Sequence, residues 1–93
     1  MEKVNHPAHY RMAGRKECIE EMLDKYGVRK VIAFCVLNEY KYLYRHSMKN
    51  GEEDLQKAEW YRKKAAELRR MGFAKKIILE LRAVKNALYG RVA

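Results

Sequence analysis

The chain has 93 residues, 48% hydrophobic and 35% charged with one proline, a length and composition that suit one folded domain and exclude a disordered chain. Twenty-one lysines and arginines against 12 acidic residues give a net charge of +9, which favours polyanionic partners such as nucleotides, nucleic acids or anionic lipid. No stretch approaches the ~20 apolar residues of a membrane span and no apolar leader is seen, so we expect a cytoplasmic protein.

The first fifteen residues have no apolar period and contain Asn5, Pro7 and Gly14, so they are predicted to form an extended N-terminal arm. Imidazoles, a stacking ring and cations occur within it: His6, His9, Tyr10, Arg11 and Arg15. We expect the arm to close over a base or a phosphate. The alternative is that the ring only pins the arm to the helices. Two histidines are too few for a structural zinc site, so no metal is expected.

Two helices are predicted in the first half of the chain. The first runs from Lys16 to Tyr26, because its apolar residues follow a 3.6-residue period and Gly27 is a favoured residue just past a helix end. The second runs from Val28 to Met48 without a glycine or proline. Since it is apolar on more than one side, we expect it to be the central helix.

Two further helices are predicted after the Asn50–Gly51 break. The acidic residues 52–54 suit the start of a third helix, which ends near Met71. A fourth helix, Ala74 to Tyr89, carries a narrow apolar seam close to a 3.5-residue repeat. Such a seam packs either inside the monomer or against a second copy, and the sequence does not choose between them. We expect a homo-oligomer, either a dimer or a tetramer.

The predicted fold is all-α, a small bundle of about four helices preceded by the arm, because no β alternation extends beyond a few residues. The chain forms a single helical domain over 1–93, with the arm at 1–15, a core at 16–71 and an additional C-terminal helix at 74–89. Cys18 and Cys35 both fall within helical apolar patterns, which predicts reduced, buried thiols.

A polar stripe is predicted along the second helix. Its residues are spaced at i, i+3, i+7 and i+11 and are Asn38, Lys41, Arg45 and Lys49. Lysine supplies a point charge and arginine grips two phosphate oxygens, so a phosphate could lie along the stripe. The alternative is an ordinary solvated face. Because Lys41 and Arg45 lie off the apolar stripe, replacing either by alanine should abolish binding and spare the fold.

Trp60 on the third helix, beside Lys57 and Lys64, suggests a platform for a base, although a lone tryptophan is more often a core residue. No glycine-rich phosphate loop is present, so hydrolysis by such a loop is not expected. In a kinase, Glu17 or Asp54 would hold Mg²⁺ or orient the attacking oxygen while cations stabilised the transferred phosphoryl group.

Three stretches together, VNHPAHY, ECIEEM and NEYKYLYRHSMKNGEEDLQKAEWY, resemble the SaV-like family of small phage proteins, classed as a domain of unknown function. The similarity covers residues 4–61. It implies nucleotide binding, since one larger relative is a phage nucleoside monophosphate kinase, and it points to phage proteins that sequester cyclic nucleotide signals of bacterial immunity. The chain departs from the family at Leu37, where glycine is frequent, and in its basic segment from Arg11 to Lys16. Residues carried over by position are His6, His9, Tyr10, Glu17, Lys41, Tyr42, Arg45, Asp54, Lys57 and Trp60.

The favoured function is a non-catalytic sponge, acting in the cytoplasm of an infected bacterium, that binds cyclic oligonucleotides in pockets between subunits. The alternatives are a nucleoside monophosphate kinase and a nucleic-acid-binding module. No catalytic residue, metal or cofactor is predicted. The predicted ligand-binding residues are His6, His9, Tyr10, Arg11, Glu17, Asn38, Lys41, Tyr42, Arg45, Lys49, Lys57 and Trp60.

Overall fold

In the computed structural model, four α-helices make up most of residues 17–89, the part of the chain that the structure describes. They are α1 (Cys18–Tyr26), α2 (Val28–Arg45), α3 (Glu52–Arg69) and α4 (Phe73–Tyr89). No strand occurs within residues 17–89, and the predicted all-α bundle of four helices is confirmed. No helix in this range has the length and apolar content needed to cross a membrane. The predicted arm, with His6, His9, Tyr10 and Arg11, lies outside the described residues.

Helix α2 ends earlier than its apolar period predicts, at Arg45 rather than Met48. The chain then turns, and the backbone N–H of Gly51 closes the turn by donating to the carbonyl of His46 at 2.8 Å. Gly51 has a φ of 53°, in the left-handed region that glycine adopts without a steric penalty. The earlier ending places Lys49 in the turn, so its predicted position on the stripe of α2 is wrong.

The core lies where α2 packs on α3, with α1 and α4 closing one end. Its buried side chains are Val28, Val31, Cys35, Ala65, Leu68 and Leu79. Burial raises the pKa of the Cys35 thiol to about 11, against a smaller opposing effect of Lys64, so this thiol stays protonated. Cys18 is also a free thiol, but it is exposed at the first position of α1. The predicted burial is therefore confirmed for Cys35 and wrong for Cys18.

Gly27 is the single residue between α1 and α2, and its backbone (φ 86°, ψ 171°) lies in a region that is essentially restricted to glycine. A Cβ at this position would stand 2.6 Å from a carboxylate oxygen of Glu80 on α4. That carboxylate accepts a hydrogen bond from the backbone N–H of Arg29 at 3.0 Å. Glu80 thus satisfies one of the free N–H groups at the start of α2 and links α4 to the junction between α1 and α2.

Candidate functional site

Three cations surround the ring of Tyr42 at the end of the α2–α3 hairpin. Lys41 Nζ lies 4.6 Å from the ring centroid, and Arg45 Cζ lies 4.8 Å from it. Lys57 Nζ approaches from α3 to 5.4 Å. Cations at this distance are attracted to the face of an aromatic ring. Lys41, Tyr42, Arg45 and Lys57 are called the Tyr42 cluster below.

A row of aromatic rings extends this cluster along α3. The ring of Tyr42 stacks on that of Tyr61, with centroids 5.9 Å apart and planes 8° from parallel. Trp60 meets Tyr61 edge to face at 5.1 Å. Trp60 is half-buried, so part of its ring is open, and Lys64 Nζ lies 5.5 Å from its centroid. The predicted platform therefore has Lys64 beside the tryptophan, whereas Lys57 lies against Tyr42.

Asp54 lies next to the cluster and binds one of its members, Arg45. It is fully buried, and its two carboxylate oxygens accept hydrogen bonds from Arg45 Nε at 3.2 Å and Arg45 Nη2 at 3.3 Å. The backbone N–H and the side-chain amide of Asn50 donate to the same carboxylate at 3.3 and 3.4 Å. These contacts tie the first turn of α3 to the last turn of α2 and fix the position of Arg45.

The charge of Asp54 is stabilised where it is buried. Burial by itself raises the pKa of this carboxyl, but the hydrogen bonds from Arg45 and Asn50 outweigh it and lower the pKa below its ordinary value. Asp54 is therefore ionised, with both oxygens engaged by the protein. For it to hold Mg²⁺, one of the roles that the kinase alternative gives to Glu17 or Asp54, these hydrogen bonds would have to break.

The pairing with Asp54 also changes what is expected of Arg45. Removing the guanidinium would leave a buried carboxylate without a counter-ion, so Arg45→Ala should destabilise the fold, contrary to the expectation from the sequence that it spares the fold. By contrast, Lys41 and Lys57 form no ion pair with any acidic side chain within residues 17–89. Among the described residues, their ammonium groups are the charges of the cluster that no carboxylate pairs with.

The other predicted site residues lie elsewhere. The amide of Asn38 donates to the Phe34 carbonyl of its own helix at 2.9 Å. Glu17 is buried at the start of α1, and its backbone N–H donates to the Glu20 carboxylate at 3.0 Å. Lys49 lies in the exposed turn. Of the predicted set within 17–89, the structure brings together the Tyr42 cluster, with Trp60 one ring away.

Sequence reasoning missed two contributors to this site. Tyr61 fits the apolar period of α3, which identifies it only as a core residue, and nothing in its spacing shows that it stacks on Tyr42. The pairing of Arg45 with Asp54 spans nine residues and a turn. It follows no helical spacing, although an aspartate in the first turn after a basic helix end is a weak signal for it.

A family model of proteins of unknown function, DUF3310, matches residues 4–63. The chain belongs to this family. The match includes the Tyr42 cluster and Trp60 and ends within α3, so α4 lies beyond it. Its extent agrees with the predicted similarity over 4–61, while the link to SaV-like phage proteins stays a prediction. Neither the curated proteins nor the solved structures give a significant match.

Proposed function

We propose that this chain is a non-catalytic nucleotide-binding protein and that the Tyr42 cluster holds the nucleotide's phosphates. The observation that carries the proposal is the convergence of Lys41 and Lys57, from two helices, on one ring without a paired carboxylate in residues 17–89. Both ammonium groups lie within 5.4 Å of the centroid of the same ring, and their like charges repel each other. A phosphate between them would replace that repulsion with two charge-assisted hydrogen bonds.

The row of aromatic rings offers a surface on which the base of the nucleotide can stack. The open part of the Trp60 ring lies one ring beyond the cluster, with the Lys64 ammonium beside it. Stacking of a base on such a ring contributes about 1–3 kcal/mol and places little demand on base identity. A nucleotide would therefore contact Trp60 through its base and the cluster through its phosphates.

Binding without bond making fits the chemistry of the cluster. The carboxylate that contacts the cluster, Asp54, is buried and already hydrogen-bonded to Arg45 and Asn50. The net charge of +9 raises the local concentration of anionic ligands. The ligand class that we propose is the cyclic oligonucleotide signal of bacterial immunity, sequestered by a phage protein, as the similarity drawn from the sequence implies.

The test is calorimetric titration of the whole protein with cyclic dinucleotides, cyclic trinucleotides and mononucleotides. Lys41→Ala and Lys57→Ala should each weaken binding by about 10-fold or more, because each removes a charge-assisted hydrogen bond. Lys75→Ala is the matched control, since this exposed lysine on α4 carries the same charge away from the cluster. The proposal fails if the wild-type protein binds none of these nucleotides, or if all three variants lose affinity equally.

The same samples separate the two alternatives. Formation of ADP from ATP and Mg²⁺ in the presence of a nucleoside monophosphate would indicate a kinase. A nucleic-acid-binding module would bind oligonucleotides with an affinity that falls steeply with salt and would bind mononucleotides weakly. Mononucleotide or cyclic nucleotide binding without turnover, lost in the two cluster variants, is the result that we expect.

A further inference from the structure

The fourth helix exposes a regular line of apolar side chains. Ile77 is 42% exposed, Leu81 63%, Val84 56% and Leu88 66%. Their spacing alternates between four and three residues, which is the 3.5-residue repeat of a coiled-coil seam. These four residues are called the α4 seam. Exposed apolar side chains in such a line are typical of an interaction surface.

The opposite side of α4 is the one that holds it to the rest of the chain. Leu79 is buried in the core, the Arg82 guanidinium pairs with Asp24 of α1 at 3.0 Å, and Asn86 donates to the Asp24 carbonyl at 2.9 Å. At about 100° per residue, these three positions lie on the face of α4 opposite the seam. Within residues 17–89, the seam therefore faces away from α1, and Leu81, Val84 and Leu88 are each more than half exposed.

The first half of the seam opens onto an apolar groove between α2 and α4. The groove has a volume of about 300 Å³. Its apolar lining residues are Val28, Ile32, Phe73, Ile77 and Leu81. Phe73, at the start of α4, is 80% exposed beside it. The groove widens the apolar surface beyond a single helical line and makes it continuous with α2.

We propose that the α4 seam is the interface between two copies of this chain, arranged as a parallel helix pair. The seam is complementary to itself, because each position in a parallel pair meets the same position of the second copy. The residues that hold α4 to α1 lie on the far side of the helix, so α1 leaves the seam open to a second copy.

The charges beside the seam favour a second, parallel copy of the chain as the partner. Glu80 flanks the seam on one side and Lys85 on the other, five residues apart. In a parallel pair, that spacing brings Glu80 of one copy opposite Lys85 of the second copy, whose ammonium would be a second donor to the Glu80 carboxylate beside the backbone N–H of Arg29. In an antiparallel pair, the matching flanks face each other and this pairing is lost. Residues 1–16 show no 3.5-residue apolar repeat that would fit the seam.

The mass of the whole protein in solution tests the interface. Sedimentation or light scattering at several concentrations should give twice the chain mass of 11.1 kDa for the wild type. Leu81→Glu should give the chain mass, because it places a charge at the centre of the seam. Leu37→Glu is the matched control, since Leu37 on α2 is 68% exposed and receives the same substitution. It should remain a dimer.

Cross-linking tests the orientation and does not depend on a disruptive substitution. In a Cys18→Ser background, Val84→Cys should form a disulfide-linked dimer under mild oxidation, because Val84 meets itself in a parallel pair. Cys35 is buried and should not react. Lys75→Cys, exposed but off the seam, is the control that should stay uncross-linked.

Three outcomes would overturn the proposal. A wild-type protein at the chain mass over all concentrations would show that the seam is left open or is covered by residues 1–16. A dimer dissociated by Leu37→Glu but not by Leu81→Glu would place the interface on α2. A dimer in which Val84→Cys fails to cross-link would refute the parallel arrangement.

Discussion

The side chains at the turn end of the α2–α3 hairpin have partners within the chain, whereas the apolar side chains on the outer face of α4 are exposed to solvent. At the hairpin, the buried charge of Asp54 receives hydrogen bonds from Arg45 and Asn50, so the polar arrangement is complete within one chain. On α4, the seam residues contact solvent. The hairpin end lies within the family match and α4 lies outside it. The polar arrangement within the family match is thus complete in one chain, while α4, which lies outside the match, carries an exposed apolar face.

The largest effect should come from removing the counter-ion of Asp54 at the end of the hairpin. Arg45→Ala leaves Asp54 buried without its counter-ion and should lower the melting temperature, measured by circular dichroism, by on the order of 15 °C. Arg62→Ala is the matched control, because its pair with Glu59 is exposed on both sides. Exposed pairs contribute little, so its melting temperature should barely change. Similar small shifts for both variants would show that the fold keeps Asp54 buried without the charge of Arg45.

A smaller loss should follow from disturbing the link between Glu80 of α4 and the junction between α1 and α2. Gly27→Ala forces a side chain into a backbone region that favours glycine and against the Glu80 carboxylate. Urea unfolding should show a loss of about 2 kcal/mol in the free energy of unfolding. Gly72→Ala is the control, since a Cβ there meets no atom within 4 Å. Equal stability of the two variants would mean that the link relaxes without cost.

The smallest effect is a change in how the free energy of unfolding depends on pH, and it concerns the charge of Asp54. Its pKa is lower in the folded chain than its ordinary value of 3.8. The stabilisation is therefore fully present above about pH 4 and is lost as the pH falls through 3.8 towards the folded pKa. Asp54→Asn should flatten the fall in unfolding free energy between about pH 5 and pH 2.5. Glu59→Gln removes an exposed partner of Arg62 and should leave most of that slope in place. An unchanged slope in Asp54→Asn would assign acid unfolding to other carboxyls.

Sequence reasoning predicted the helices and part of the site because both depend on local geometry. The 3.6-residue period and the breaks at Gly27, Gly51 and Gly72 are enough to place the four helices within a few residues. The same period places Lys41 and Arg45 on one side of α2, four residues apart. These features follow from the backbone of a single helix, whatever surrounds it.

The remaining features were decided by how the helices pack. The contact of Lys57 with Tyr42, the pairing of Arg45 with buried Asp54 and the early end of α2 all depend on how far α3 is rotated and shifted against α2. Helical periodicity leaves that rotation undetermined. The same reason applies to α4, because its sequence suits a seam that packs inside the monomer as well as one that packs against a second copy. Only the fold shows that α1 occupies the opposite face and leaves the seam exposed.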